Sequence, residues 1–127
     1  MAEAITFSRR TILTLAGLTL KRWHDDNGRP PVSFVKIDTE QHELACVRGA
    51  MPLIRDCLPA LCIEISSDLS DPESDGAAIA HLLQPLEYDI YIWDKSDFAP
   101  LQVGKRSVNY FFLRPEHVEH ARLNALS

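Results

Sequence analysis

The most constraining stretch of this chain is Val32-Ser33-Phe34-Val35-Lys36-Ile37-Asp38-Thr39-Glu40-Gln41-His42-Glu43-Leu44, a short apolar run that ends in a cluster of acids and a histidine. Val32, Phe34, Val35 and Ile37 read as a central strand covered on both faces, because the run is nearly continuous rather than alternating. The carboxylates arrive where that strand must end and turn into a helix, which is where open α/β sheets place ligands.

A second run, Ala60-Leu61-Cys62-Ile63-Glu64-Ile65, follows at the distance a helical crossover between parallel strands needs. It carries its own carboxylate, Glu64, near its C-terminal end. The pair therefore reads as a βαβ unit. Between the two runs, Gly49 suggests a left-handed helix stop and Pro52 suits the first turn of a second short helix. Ile79, Leu82, Leu83 and Leu86 share one face of a later helix that begins at Ser74 or Asp75 and ends at Pro85. Asp89–Trp93 alternates as a strand and meets a long loop to Ser107; 108–113 then reads as a strand lying antiparallel between 60–65 and 89–93. Earlier, Thr19–His24 reads as a short helix closed by Asn27-Gly28 and Pro30-Pro31, and Pro115 opens a final helix.

With 127 residues the chain is one domain at most, and 46% hydrophobic with 24% charged residues excludes a mainly disordered chain. A formal charge of -5 provides no general pull toward nucleic acid. No apolar run approaches the roughly 20 residues needed to cross a bilayer. Cys46, Cys57 and Cys62 are odd in number and sit in apolar patterns, which points to a reducing, cytoplasmic setting without a disulfide framework. Ser8-Arg9-Arg10 before an apolar stretch superficially resembles a twin-arginine export signal, but no small-residue cleavage site follows. A short amphipathic helix or strand is the plainer reading.

The run Phe34-Val35-Lys36-Ile37-Asp38-Thr39-Glu40-Gln41-His42-Glu43-Leu44, with Val47-Arg48-Gly49-Ala50 after it, resembles the FkbM family of S-adenosylmethionine-dependent methyltransferases. That family carries a Lys-Ile-Asp-x-Glu-Gly-x-Glu-Leu run followed by Arg-Gly-Ala. The likeness continues through Ile63-Glu64-Ile65, Leu86-Glu87-Tyr88 and Asn109-Tyr110-Phe111-Phe112, and upstream in Leu18-Thr19-Leu20, with Lys21 where the family has an aspartate. Gln41 likewise replaces a glycine. The likeness covers roughly 18–114, preceded by a lead-in over 1–17 and followed by a helix or tail over 115–127.

The resemblance implies the C-terminal half of a Rossmann-like class I methyltransferase fold, an α/β mixed sheet with mostly parallel strands and one antiparallel strand. It implies S-adenosylmethionine as cofactor and a hydroxyl of a sugar, lipid or secondary metabolite as acceptor. The family's glycine-rich cofactor turn has no counterpart here, because Gly17, Gly28, Gly49, Gly76 and Gly104 are isolated. No cofactor-binding residue can therefore be named. An exposed edge at 32–37, open to self-association, is the structural expectation for such a half, with Ala4-Ile5-Thr6-Phe7 or Ile12-Leu13-Thr14-Leu15 as the segments that could shield it by adding a strand.

Asp38, Glu40, His42 and Glu64 are the candidate catalytic residues, since methyl transfer to oxygen needs alignment and a proton acceptor. Asp38 and Glu40 can equally cap helix-starting amides while His42 stays solvated. A metal held by Asp38, Glu40 and His42 matches no recognised ligand spacing, and none is expected. A non-catalytic remnant or interaction module that retains the half-sheet is the alternative to an enzyme.

Overall fold

The computed structural model describes residues 3–7, 10–14, 17–39, 42–95, 97–102 and 106–125. Glu3–Phe7 (β1) and Arg10–Thr14 (β2) lead into helix α1, Gly17–Asp26, then strand β3, Phe34–Ile37. Helix α2, Glu43–Cys57, joins β3 to β4, Ala60–Glu64. Helix α3, Asp75–Leu83, runs into a 3-10 turn at Gln84–Leu86, and is followed by β5 (Asp89–Asp94), β6 (Asp97–Pro100), β7 (Asn109–Leu113) and α4 (Pro115–Ala125).

The strands form one sheet in the order β1-β2-β3-β4-β7-β5-β6. β2, β3 and β4 are mutually parallel, and β7 inserts antiparallel between β4 and β5, as the motif order implies. The sheet is mixed, but its antiparallel strands are β1, β6 and β7 rather than one. The additional two arise from hairpins at either end of the sheet, which need only a short turn. The reading of 94–107 as unbroken loop therefore gives way to a β5–β6 hairpin, with Asp94 opposite Asp97 and Lys95 at φ 60 in the turn.

The expected exposed edge at 32–37 is also corrected. β2 lies along β3 in parallel, with Ile12 opposite Phe34 and Thr14 opposite Lys36, so β3 is an interior strand. Its cover is one-sided, however. Val35 and Ile37 are buried opposite Leu61 and Ile63, which in turn face Phe112 and Tyr110, and these six belong to one core with Leu20 of α1, Val47 and Ile54 of α2, and Ile79 and Leu83 of α3. The helices α1, α2 and α3 thus contribute to a single face of the sheet. Phe34, Lys36, Glu64 and Phe111 on the other face are only half-buried.

Gly49 and Pro52 do not break the crossover; α2 is continuous through both. Cys46, Val47, Ala50, Met51, Leu53 and Ile54 all bury against the core from its inner face. A mid-helix glycine costs about 1 kcal/mol and a proline about 3. Each large apolar side chain returned to the core contributes about 1.5–3 kcal/mol, so packing outweighs the local penalties. The helix ends at Leu58, a non-glycine residue in the left-handed region whose N–H donates to the Ile54 carbonyl. Ser74 caps α3 by accepting from the Ala77 N–H, as its position before the apolar face suggested.

Candidate functional site

Because β3 and β4 are parallel and in register at Ile37 and Ile63, the next residues, Asp38 and Glu64, stand side by side at the C-terminal ends of two adjacent strands. The strands are about 4.8 Å apart, which brings the two carboxyls within reach of each other. Glu64 is held above the usual carboxylate range, first by a hydrogen bond with Asp38, then by the Asp38 charge and by desolvation. Lys36, two residues before Asp38, pulls in the opposite direction, and the Glu43 charge adds to the rise. Two carboxyls sharing a position cannot both ionise freely, so Glu64 holds its proton to higher pH than an isolated glutamate, and in that protonated form it can donate to Asp38.

Glu43 opens α2 at 9% exposure, where its charge complements the helix dipole. His42 precedes it with an exposed side chain that makes no capping bond, while its carbonyl accepts from the Cys46 N–H at 3.0 Å. Glu40 and the glycine-replacing Gln41 lie outside the described residues. Of the four candidate residues, the structure therefore joins Asp38 to Glu64 and leaves His42 at the helix entrance. Lys21, the other departure from the family pattern, is an exposed helix residue paired with Asp25 at 2.7 Å.

Other contributors carried no motif signal. Thr39 Oγ1 is buried without a hydrogen-bond partner among the described residues, directly after Asp38. A cavity of about 220 Å³ lined by Glu43, Ile65, Ser66, Ser67, Asp75 and Ile79 opens just past the end of β4, with neither Asp38 nor Glu64 in its lining. Among the described residues no group of three His, Cys, Asp or Glu side chains could hold a metal ion. A larger cavity of about 540 Å³ lies at the opposite end of the sheet, beside Val32 and Ser33 at the entrance to β3. Its polar groups already serve the backbone: His24 Nε2 bonds the Pro30 carbonyl at 2.8 Å and His117 Nε2 the Leu58 carbonyl at 3.1 Å.

The family model described as the methyltransferase FkbM domain matches residues 6–90, from β1 to the start of β5, and so includes the whole Asp38–Glu64 arrangement. This chain belongs to the FkbM methyltransferase family. No curated protein and no solved structure matches it. Membership makes methyl transfer the general chemistry of the domain. No helix among the described residues is long and apolar enough to cross a membrane.

The FkbM cofactor was tested against the glycines, which would have to supply a close-approach turn. Gly28 occupies a left-handed turn after α1, and Gly49 is interior to α2. A Cβ on Gly76 would come within 2.9 Å of Leu69 Cδ2 and 3.1 Å of Ile65 Cγ2, so the space there is taken by the chain itself. Only Gly17, the first residue of α1 after β2, stands at a strand-to-helix junction, and it stands there as a single glycine. The described residues therefore hold a hydrogen-bonded carboxyl pair but do not fit the adenosyl group on their own.

Proposed function

We propose that this chain provides the acceptor side of an S-adenosylmethionine-dependent O-methyltransferase of the FkbM type, with Asp38 and Glu64 as its proton-handling pair. It corresponds to the C-terminal half of a Rossmann-like class I fold, and the glycine-rich cradle for the adenosyl group belongs to a segment other than the residues described. The observation that carries this reading is the raised carboxyl of Glu64, hydrogen-bonded to Asp38 at the ends of two parallel strands. A carboxyl that holds its proton to higher pH can stay a hydrogen-bond donor that orients a neighbouring carboxylate, which is the group left to accept a proton. In the singly protonated pair, Asp38 accepts the proton of an acceptor hydroxyl while Glu64 holds the carboxylate in place. Glu40 and His42, which follow Asp38 in the chain, belong to the same family motif and are the further candidates for the site. Cys46, Cys57 and Cys62 form no disulfide among the described residues, in keeping with a cytoplasmic protein.

The lack of a glycine cradle among the described residues favours a second reading, a non-catalytic module that keeps the half-sheet and binds a partner. Two experiments separate them. In an enzyme that contains this domain and releases S-adenosylhomocysteine from a hydroxyl acceptor, Asp38→Asn lowers turnover by more than about tenfold without changing the melting curve. Unchanged turnover in a folded variant contradicts the assignment. Calorimetry of the chain itself with S-adenosylmethionine is expected to show no binding; saturable binding would mean that the carboxyl end holds cofactor without the cradle.

A further inference from the structure

Beyond the carboxyl pair, the strand registers align a row of side chains across the same end of the sheet. Glu64 lies opposite Asn109 on β7, and Cys62 opposite Phe111, so Glu64, Asn109 and Phe111 share a face. Tyr91 of β5 is opposite Phe111, and Trp93 follows it at the two-residue period. The ring contacts agree: Phe98 meets Phe111 edge-on with centroids 4.9 Å apart, and Trp93 meets Phe98 at 4.9 Å and 76°. Trp93 is nonetheless 53% exposed, and Val108, beside Asn109 in the chain, is 63% exposed. These are the two large apolar side chains most open to solvent among the described residues, and they flank the same strand end.

We infer that Trp93 and Asn109 form a saccharide-binding subsite that presents an uncharged sugar acceptor to Asp38 and Glu64, an inference that rests on the proposed methyl transfer. An indole face fixed by edge contacts offers a flat apolar surface for the C–H face of a pyranose ring. The Asn109 amide, both donor and acceptor, meets the hydroxyls at the ring's edge. Asp94 and Asp97 stand on the same hairpin, and Asp97 Oδ1 already accepts from the Phe98 N–H at 2.8 Å. Their charge disfavours phosphorylated or nucleic-acid ligands, and their polarity disfavours an acyl chain. Two strand spacings, roughly 10 Å, separate the Trp93 position from Glu64. A sugar stacked on Trp93 and extending past Asn109 therefore reaches the carboxyl pair with its next unit.

The test follows the Trp93 indole N–H by nuclear magnetic resonance during titration with methyl glucoside, methyl galactoside, methyl rhamnoside and cellobiose. The expected result is a saturable shift of the Trp93 signal with at least one of these sugars while the Trp23 signal stays fixed. Trp93→Ala is expected to weaken that binding, followed at the Asn109 side-chain amide, roughly tenfold or more, and Trp93→Phe to retain most of it. No shift with any of the four sugars, equal binding in Trp93→Ala, or a shift only with alkyl detergent overturns the subsite. Sugar binding without methyl transfer keeps the subsite and refutes the enzymatic reading. Methyl transfer to a sugar that is indifferent to Trp93→Ala does the reverse.

Discussion

Glu64 is held above its ordinary carboxyl pKa because Asp38, one strand away and one residue beyond the in-register pair Ile37 and Ile63, shares a hydrogen bond with it. The folded chain thus holds a proton on Glu64 at pH values where the unfolded chain has released it. Stability from this group is fully present below the ordinary carboxyl pKa and is lost as pH rises through the elevated folded value. Replacing Glu64 with Gln removes the ionisation and keeps a donor for Asp38. Urea midpoints measured from acid to neutral pH are expected to fall less steeply in Glu64→Gln than in the parent. An unchanged pH slope contradicts the shared proton.

His117 makes the opposite prediction. Burial holds its imidazole below the ordinary histidine value, and its Nδ1 accepts from the Arg114 N–H at 2.9 Å while Nε2 donates to the Leu58 carbonyl. The folded state therefore requires the neutral ring. Its contribution is present above the unfolded pKa of about 6.5 and is lost as pH falls through that value toward the lower folded one. Thermal melts of His117→Asn should lose less stability than the parent on going below pH 6.5, a difference readable by circular dichroism.

Tyr88 is buried, stacks against His117 with ring centroids 6.3 Å apart, and donates its hydroxyl to the Pro59 carbonyl. Tyr88→Phe keeps the ring but strands that carbonyl, at a cost of about 1–3 kcal/mol in chemical denaturation. A neutral result would mean that the carbonyl finds water.

Ile63 is fully buried between Ile37 and Tyr110 on the helix-covered face. Ile63→Ala is expected to destabilise the fold by about 2–5 kcal/mol. A much smaller loss would place the core elsewhere.

Much of this arrangement was legible in the chain. The spacing of two apolar runs defined the parallel β3–α2–β4 unit, and the carboxylates at their ends marked the site. What escaped reading was governed by contacts distant in sequence. β2 covers β3 with Ile12–Thr14, a segment whose apolar pattern admits a strand but does not by itself choose that pairing over an open edge. α2 runs through Gly49 and Pro52 because its buried face decides the outcome, and Pro52 itself points to solvent. Lys36 was the clue that β3 is covered on one side only: a lysine between Val35 and Ile37 marks the open face. The partnership of Glu64 with Asp38 depended on register, which periodicity alone does not provide. The short β6 carries no glycine or asparagine in its turn to announce a hairpin.

The most direct measurement is a carboxyl-carbon magnetic resonance titration of Asp38 and Glu64. The account predicts that Glu64 titrates above the ordinary glutamate value of about 4.3 and returns toward it when Asp38 is replaced by Ala. Ordinary titration of Glu64 in the parent, unchanged in Asp38→Ala, would show that the two carboxyls do not share a proton and would contradict the proposed proton-handling pair.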